Sequence, residues 1–430
     1  MSMVDVQPGL PGAPGAAGMT MPAAPRRRVL PGWAIFAIGV VGVVGVLTTT
    51  SYLTNEPALT SSSTMQNTVT LGLPILLCGL GGIWAERSGM INIGLEGMMI
   101  LGTWGAAWGG LHGGPWVAVL CGAVLGALGG LLHAVATVTF GVNHIVSGVA
   151  INLLGAGVTK YLSTLIFEPL SSNPRDSPPI QRFDTFSAQP LADWLGDLEN
   201  QQRAVISDVA GLVRGLVTRV SPVLILAILL VIATYFVLWH TRFGLRLRSC
   251  GENPVAAESL GVNVYLHKYV AVVVSGALAG IGGAALVLGS SPAIYSEGQT
   301  ANRGFIGLAA MIFGNWRPGG TLAGAGLFGY ADGLRLSSGP QTVHALLYAA
   351  VIAAGVLVIW QLVRRRWTVA ALAAVGAVAV YALYYATDEL PTEFLPYTPH
   401  IITLVVLALA AQRLRPPAAD GMPYRRGEGD

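Results

Sequence analysis

The sequence predicts an all-α polytopic membrane protein of about twelve transmembrane helices, built from two inverted repeats with broken helices. Composition is the first observation. Of 430 residues 53% are hydrophobic and only 10% charged, against roughly 25% charged in an ordinary soluble domain. The second is the stretch 79–104, where Glu86, Arg87, Asn92 and Glu96 interrupt apolar sequence and glycines stand at 79, 81, 82, 89, 94, 97 and 102. The third is an echo of that stretch. Ala279-Gly280-Ile281-Gly282-Gly283 repeats Cys78-Gly79-Leu80-Gly81-Gly82, and Ile306-Gly307-Leu308-Ala309-Ala310-Met311-Ile312 repeats Ile93-Gly94-Leu95-Glu96-Gly97-Met98-Met99. Each copy then reaches a Gly-x-Trp, at 102–104 and 314–316, and a proline-led apolar run, at Pro115 and Pro318.

A charge at the centre of a bilayer costs roughly 2.5–3.5 kcal/mol on insertion scales, so such groups face protein or a cavity. Broken helices at membrane depth obey the same condition. Glycine-interrupted segments at corresponding places in two halves point to a transporter's central site. The plain alternatives are a polar turn between two spans and chance similarity between Gly/Ala-rich segments.

In chain order, residues 1–30 are Pro, Gly, Ala and Met with almost no periodicity, which predicts a disordered cytoplasmic tail. Arg26, Arg27 and Arg28 precede an apolar run without a small-x-small cleavage site, which reads as an uncleaved first helix with its N-terminus inside. Spans are expected at about 33–53, 67–84, 93–111, 116–139, 145–167, 222–241, 268–290, 304–315, 319–336, 342–363, 367–387 and 398–412. The transmembrane domain is thus 31–412. It holds a first repeat at about 67–167, an extracytoplasmic loop at about 168–221, a cytoplasmic loop at about 242–267 and a second repeat at about 268–363. Extra helices follow at about 364–412, then a cytoplasmic tail over 413–430. Arg87, Arg242, Arg246, Arg248, Lys268, Arg317, Arg364 to Arg366, Arg413, Arg415, Arg425 and Arg426 all fall on the cytoplasmic side of that alternation. Both termini are then cytoplasmic, and the two glycine motifs lie in helices of opposite direction.

Within 168–221 the first part is Pro-, Ser- and Asp-rich loop. Leu191, Trp194, Leu195, Leu198, Val205, Val209, Leu212 and Leu216 then recur at helical spacing, which predicts an amphipathic helix or pair. It reads as a surface cap or as a docking surface for an external partner. Cys78, Cys121 and Cys250 are scattered without metal-ligand spacing. No basic stripe interleaved with aromatics suggests nucleic acid.

The cytoplasmic loop carries Gly251-Glu252-Asn253-Pro254-Val255-Ala256-Ala257-Glu258-Ser259-Leu260-Gly261-Val262-Asn263. Asn253 suits an N-cap, Pro254 the first helical position and Gly261 the C′ stop, giving a two-turn helix too short to span. This loop resembles the coupling-helix loop of membrane permeases in ATP-binding cassette (ABC) importers. Glu86-Arg87-Ser88-Gly89-Met90-Ile91-Asn92-Ile93-Gly94-Leu95-Glu96-Gly97-Met98-Met99 resembles the branch that imports simple sugars and nucleosides. So do Asn143-His144-Ile145-Val146-Ser147-Gly148-Val149-Ala150-Ile151-Asn152 and Arg303-Gly304-Phe305-Ile306-Gly307. The resemblance covers roughly 67–336. The long N-terminal tail departs from it. Leu395-Pro396-Tyr397 resembles the family's last helix, so the spans at 342–363 and 367–387 read as an inserted pair; the alternative is that Leu347-Tyr348 begins that last helix and everything after Arg364 is an extension.

The resemblance implies a permease subunit, not an enzyme, with no catalytic residue, metal or cofactor of its own. Consistently, the chain has no Gly-x-x-x-x-Gly-Lys-[Ser/Thr] phosphate loop. It implies a separate ATP-using ATPase subunit coupled through Gly251, Glu252, Asn253, Pro254, Ala257 and Gly261. An extracytoplasmic solute-binding protein, a second permease that is related but different, and the bilayer of a bacterial cytoplasmic membrane complete the set. For the pathway of a nucleoside or simple sugar, Asn92, Glu96, Trp104, Asn143, His144, Asn152, Arg303 and Phe305 are the expected residues. Their amides, carboxylate and imidazole suit hydroxyls, and their rings suit a base or sugar face. Interhelical hydrogen bonds, worth around 0.6 kcal/mol each, are the structural alternative. The competing function is an ion-gradient-driven secondary transporter, which would need buried acids in the spans. Glu96 and Asp332 are its only candidates.

Overall fold

The computed structural model describes residues 32–171, 173, 175–201, 203, 205–337, 340–387, 414–425 and 427. The N-terminal tail, the span at 398–412 and the Leu395-Pro396-Tyr397 motif lie outside them. Two units are distinguished, residues 1–44 and 45–430. Helix α1, Gly32–Thr54, begins in the first, and every other element belongs to the second.

Helix α2, Ser62–Glu86, starts where the Ser61 hydroxyl accepts the Thr64 N–H at 3.3 Å, and it is buried continuously from Gly72 to Glu86. Helix α3 is assigned over Leu95–Ala134 but is broken at Gly114, whose φ of 77° and ψ of −171° suit glycine, with Pro115 next. Gly109 faces Cys121, Gly105 faces Leu125 and Gly129 faces Leu101. These pairings run antiparallel, so α3 is two arms folded back on each other at Gly114. A π-helical turn, Val135–Thr139, leads to α4, His144–Ile166, whose N-terminal N–H groups at Ile145 and Val146 are capped by Asn143.

Short helix α5, Glu168–Ser171, opens the long polar segment. Two amphipathic helices follow, α6 at Gln189–Asn200 and α7 at Ile206–Val217. An Arg214–Glu199 ion pair at 2.9 Å joins them. Glu199 also accepts the Ser62 N–H at 2.9 Å, and Asp208 accepts the Thr60 hydroxyl. The pair is thereby fastened over the start of α2.

Helix α8, Pro222–His240, runs into α9, Arg242–Glu252, and α10, Pro254–Ser259. Helix α11 is Val264–Gly289, α12 is Arg303–Phe313 and α13 is Pro318–Ser337. Helices α14, Pro340–Val363, and α15, Trp367–Ala386, pack on each other. Their contact includes the His344 ring stacked on Tyr384 with centroids 4.5 Å apart.

The chain is a multi-pass membrane protein. Among the described residues seven helices are long and apolar enough to cross a bilayer, with the two arms of α3 counted as one. Regular structure is helical throughout them, apart from isolated bridges at Asp176–Ser296 and Phe186–Val220.

The core is where α11 crosses α3 and where α2 meets α12 and α13. The α11–α3 crossing is glycine on glycine. A Cβ added at Gly280 would stand 2.1 Å from the Gly122 carbonyl oxygen, and one at Gly126 2.3 Å from that of Gly276. Lipid tails are as apolar as leucine, so close backbone approach and dispersion hold such helices together. The same device recurs elsewhere: Gly79 of α2 lies against Gly307 of α12 and Thr321 of α13.

Candidate translocation site

The two broken hairpins meet at Glu96, in the first turn of α3. Its carboxylate accepts the Asn302 N–H at 3.1 Å and the Gly304 N–H at 2.7 Å. A residue from the first copy therefore caps the N-terminus of the half-helix in the second. That terminus carries free N–H groups and the positive end of the helix dipole, and a carboxylate satisfies both. Asn302 stands at φ 63°, turning the chain sharply into α12.

Asn152 does the matching work on the first break. From α4, its Oδ1 accepts the Gly97 N–H at 2.7 Å and its Nδ2 donates to the Ile93 carbonyl at 3.1 Å. Asn92 is fully buried and its Nδ2 donates to Ser275 Oγ of α11 at 2.9 Å, while its Oδ1 has no protein partner. Arg303 forms a buried ion pair with Asp332 of α13 at 3.1 Å and donates to the Gln299 and Thr300 carbonyls.

The other expected residues lie apart from this knot. Trp104 packs its ring 5.3 Å from Phe167, and its buried Nε1 has no protein partner. Phe305 is 39% exposed on α12. Asn143 is an exposed helix cap, and next to it His144 is buried with Nδ1 unpartnered. Asn92, Glu96, Asn152 and Arg303 are thus brought to the two breaks, whereas Asn143 and His144 mark the start of α4. Among the described residues no three His, Cys, Asp or Glu side chains converge to hold a metal ion.

Sequence reasoning passed over Ser275, Gln299 and Thr300, which hold Asn92 and Arg303 in place. It also missed the clamp between the copies at their other end. Trp316 Nε1 donates to Glu86 at 2.5 Å, and Arg87 Nε donates to the Trp316 carbonyl at 3.2 Å. The Glu-Arg of the first copy thereby grips the Gly-x-Trp of the second.

The short cytoplasmic-loop helix forms as its caps require. Asn253 Oδ1 accepts the Ala256 N–H at 2.9 Å, and Gly261 stops α10 at φ 80°. Helix α9 before it was not anticipated. It is capped by Thr241, whose hydroxyl accepts the Gly244 N–H at 3.1 Å.

Broken half-helices, one of them capped from the other echoing segment, are of the kind transporters use, and the sequence places the chain in a group. Residues 64–361 match the family described as branched-chain amino acid transport system, permease component. The chain belongs to this family of ABC transporter permeases. The permease is 31% identical over 369 residues to the guanosine ABC transporter permease protein NupQ of Bacillus subtilis, covering 84% of this chain and 96% of that one. It is 32% identical to the nucleoside ABC transporter permease protein NupC of Lactococcus lactis, covering 83% and 95%. A putative glucose ABC transporter permease of Haloferax volcanii, TsgC13, is 33% identical over 67% of this chain and 81% of its own. A second permease from the first organism, NupP, also matches, at 26% identity over 65% of the permease and 77% of its own length. No solved structure matches the permease.

Proposed function

We propose that this permease carries a nucleoside across a bacterial cytoplasmic membrane as one membrane subunit of an ABC importer, by alternating access between two inverted halves. The observation that carries the reading is Glu96 capping α12, because it ties the two half-helix breaks into one site at the repeat interface. The glycine crossings of α3 with α11 and of α2 with α12 support an inverted pair, since each repeat's helix lies on the other repeat's broken arm. Counting the two arms of α3 separately and adding α1, α12, α13 and the span expected from the sequence at 398–412 brings the spans to about twelve. Both termini lie inside in this topology.

Nucleoside is favoured over sugar because the two nucleoside relatives align with more than four-fifths of this chain, against two-thirds for the glucose one. Asn92 Oδ1 and Trp104 Nε1, both buried and unpartnered, supply an acceptor and a donor of the kind ribose hydroxyls and base edges use. Phe305 and Trp104 supply stacking faces. Arg303, Asn152, Asn143 and His144 border the pathway. The chain hydrolyses nothing and binds no cofactor; a separate ATPase subunit uses ATP and pushes on α10 through Gly251, Glu252, Asn253, Pro254, Ala257 and Gly261. A solute-binding protein delivers the nucleoside to the face carrying α6 and α7. The NupQ and NupP pair favours a second, related permease as dimer partner.

Uptake of radiolabelled guanosine, uridine, ribose and glucose into vesicles carrying the assembled transporter tests the reading. Nucleoside uptake that needs ATP and ignores an ion gradient is expected. Uptake driven by a proton or sodium gradient without ATP would instead establish a secondary transporter.

A further inference from the structure

Residues 414–425 bond to four separate parts of the permease at the end where α11 begins. The Arg415 N–H donates to Asn315 Oδ1 at 2.9 Å, in the turn between α12 and α13. The Ala418 N–H donates to the Glu252 carboxylate at 3.3 Å and the Ala419 N–H to the Gly251 carbonyl at 2.9 Å, both at the end of α9. Two residues on, the Gly421 N–H donates to the Gly89 carbonyl at 3.2 Å, in the turn between α2 and α3. The Tyr424 hydroxyl donates to Glu258 of α10 at 2.5 Å, and Lys268 Nζ stands 5.5 Å from the Tyr424 ring. Between these bonds the Asp420 carboxyl meets that of Glu86.

The fit is close. A Cβ added at Gly421, which stands at φ 75°, would lie 2.6 Å from Ile91 Cδ1. Burial raises the Asp420 carboxyl from its usual 3.8 to about 6. Taking an acid out of water beside a second acid is uphill, and a tail with no task would leave it solvated. The segment makes the opposite choice and lies with successive residues bonded to different loops.

We infer that residues 414–425 form a strap that fixes α10 to the turn before Asn92, so that displacement of α10 reaches the central site through Tyr424, Ala419 and Gly421. Without the strap, α10 connects to that turn through the packing of α9, where the Arg87 carbonyl lies against Gly251, and through α11, whose Val264 packs with Ala257 and whose Val272 packs with Met90. With it, a push on Glu258 pulls on the Gly89 carbonyl, three residues from Asn92. Tyr424, Asp420 and Gly421 are positioning residues and touch no substrate. The inference rests on α10 being the ATPase contact, as proposed above.

The test uses the assembled transporter in membranes, with nucleoside uptake and ATP hydrolysis measured together and amide hydrogen exchange followed over residues 414–425. Gly421→Val drives a side chain into Ile91 and should raise exchange across the segment. Uptake per ATP hydrolysed should then fall about fivefold or more, the lower edge of coupling between sites, while hydrolysis continues. A role confined to stability would lower both activities together and leave their ratio unchanged, which would overturn the strap. Unchanged exchange in Gly421→Val would overturn it as well. Should Gly421→Val fail to assemble, Tyr424→Phe, which removes only the bond to Glu258, carries the same comparison. If the unmodified complex shows no ATP-dependent uptake at all, the functional reading fails rather than the strap.

Discussion

Removing the Glu96 carboxylate tests the central knot directly. The side chain is 6% exposed and accepts the N–H groups of Asn302 and Gly304, at 3.1 and 2.7 Å. In Glu96→Ala both donors lose their acceptor inside the protein. Each orphaned buried group costs about 1–3 kcal/mol, so the pair loses about 2–6 kcal/mol. Loss of the charge at the α12 N-terminus adds up to about 2 kcal/mol in a partly buried site. Glu96→Gln keeps one acceptor oxygen and should lose roughly half as much. The measurement is denaturation of the purified permease in detergent, followed by Trp fluorescence, with uptake in parallel. The expected order is wild type, then Gln, then Ala, and uptake follows stability of the α12 cap. Glu96→Ala with stability within about 0.5 kcal/mol of wild type, the range of neutral surface changes, would refute the capping account.

The buried Arg303–Asp332 pair should behave as a couple. Either single alanine substitution strands a charge and costs about 3–5 kcal/mol, whereas the double substitution costs less than the sum, read as a coupling energy by chemical denaturation. Asn253→Ala removes the α10 cap and should weaken that helix by about 1 kcal/mol, while Asn253→Asp restores it. The check is ATP hydrolysis stimulated by the assembled permease, which should drop in the first variant and recover in the second. The strap should also respond to pH. Its Asp420 carboxyl faces Glu86, Arg87 and Lys268, and burial raises it from 3.8 to about 6. A carboxyl that is raised when docked favours the docked state at low pH, and that advantage is lost as pH rises through about 6. Protection of residues 414–425 against hydrogen exchange, corrected for the intrinsic pH dependence of amide exchange, should therefore fall from about pH 5 to 7, and Asp420→Asn should flatten that fall.

The elements legible in the sequence were those whose cause is local. Asn253, Pro254 and Gly261 announce α10 because each satisfies a helix end within a few residues. Length and apolarity announce α2, α8, α11, α14 and α15 in the same way. Leu95–Ala134 shows the complement: an apolar run through Gly114 is read as two spans only because Gly-Pro interrupts it, and the structure folds it there. The site was half legible. That Glu96 needs a partner follows from its polarity, yet nothing near it in sequence says that the partners are two backbone N–H groups some 200 residues away. The strap was not legible at all. Pro416, Pro417, Gly421 and Pro423 read as loop, and their bonds run to Gly89, Gly251 and Glu258, which no periodicity connects.

The glycine crossing of α11 on α3 has a mechanical consequence. Gly276, Gly280 and Gly283 meet Gly102, Gly122, Gly126 and Gly130 with scarcely a side chain between them. Interdigitated leucines must climb out of their holes and change rotamer before one helix can shift past another. Bare backbones have no such teeth, so this seam can act as a bearing. The two arms can glide across it by small steps while the capped breaks on either side hold their shape.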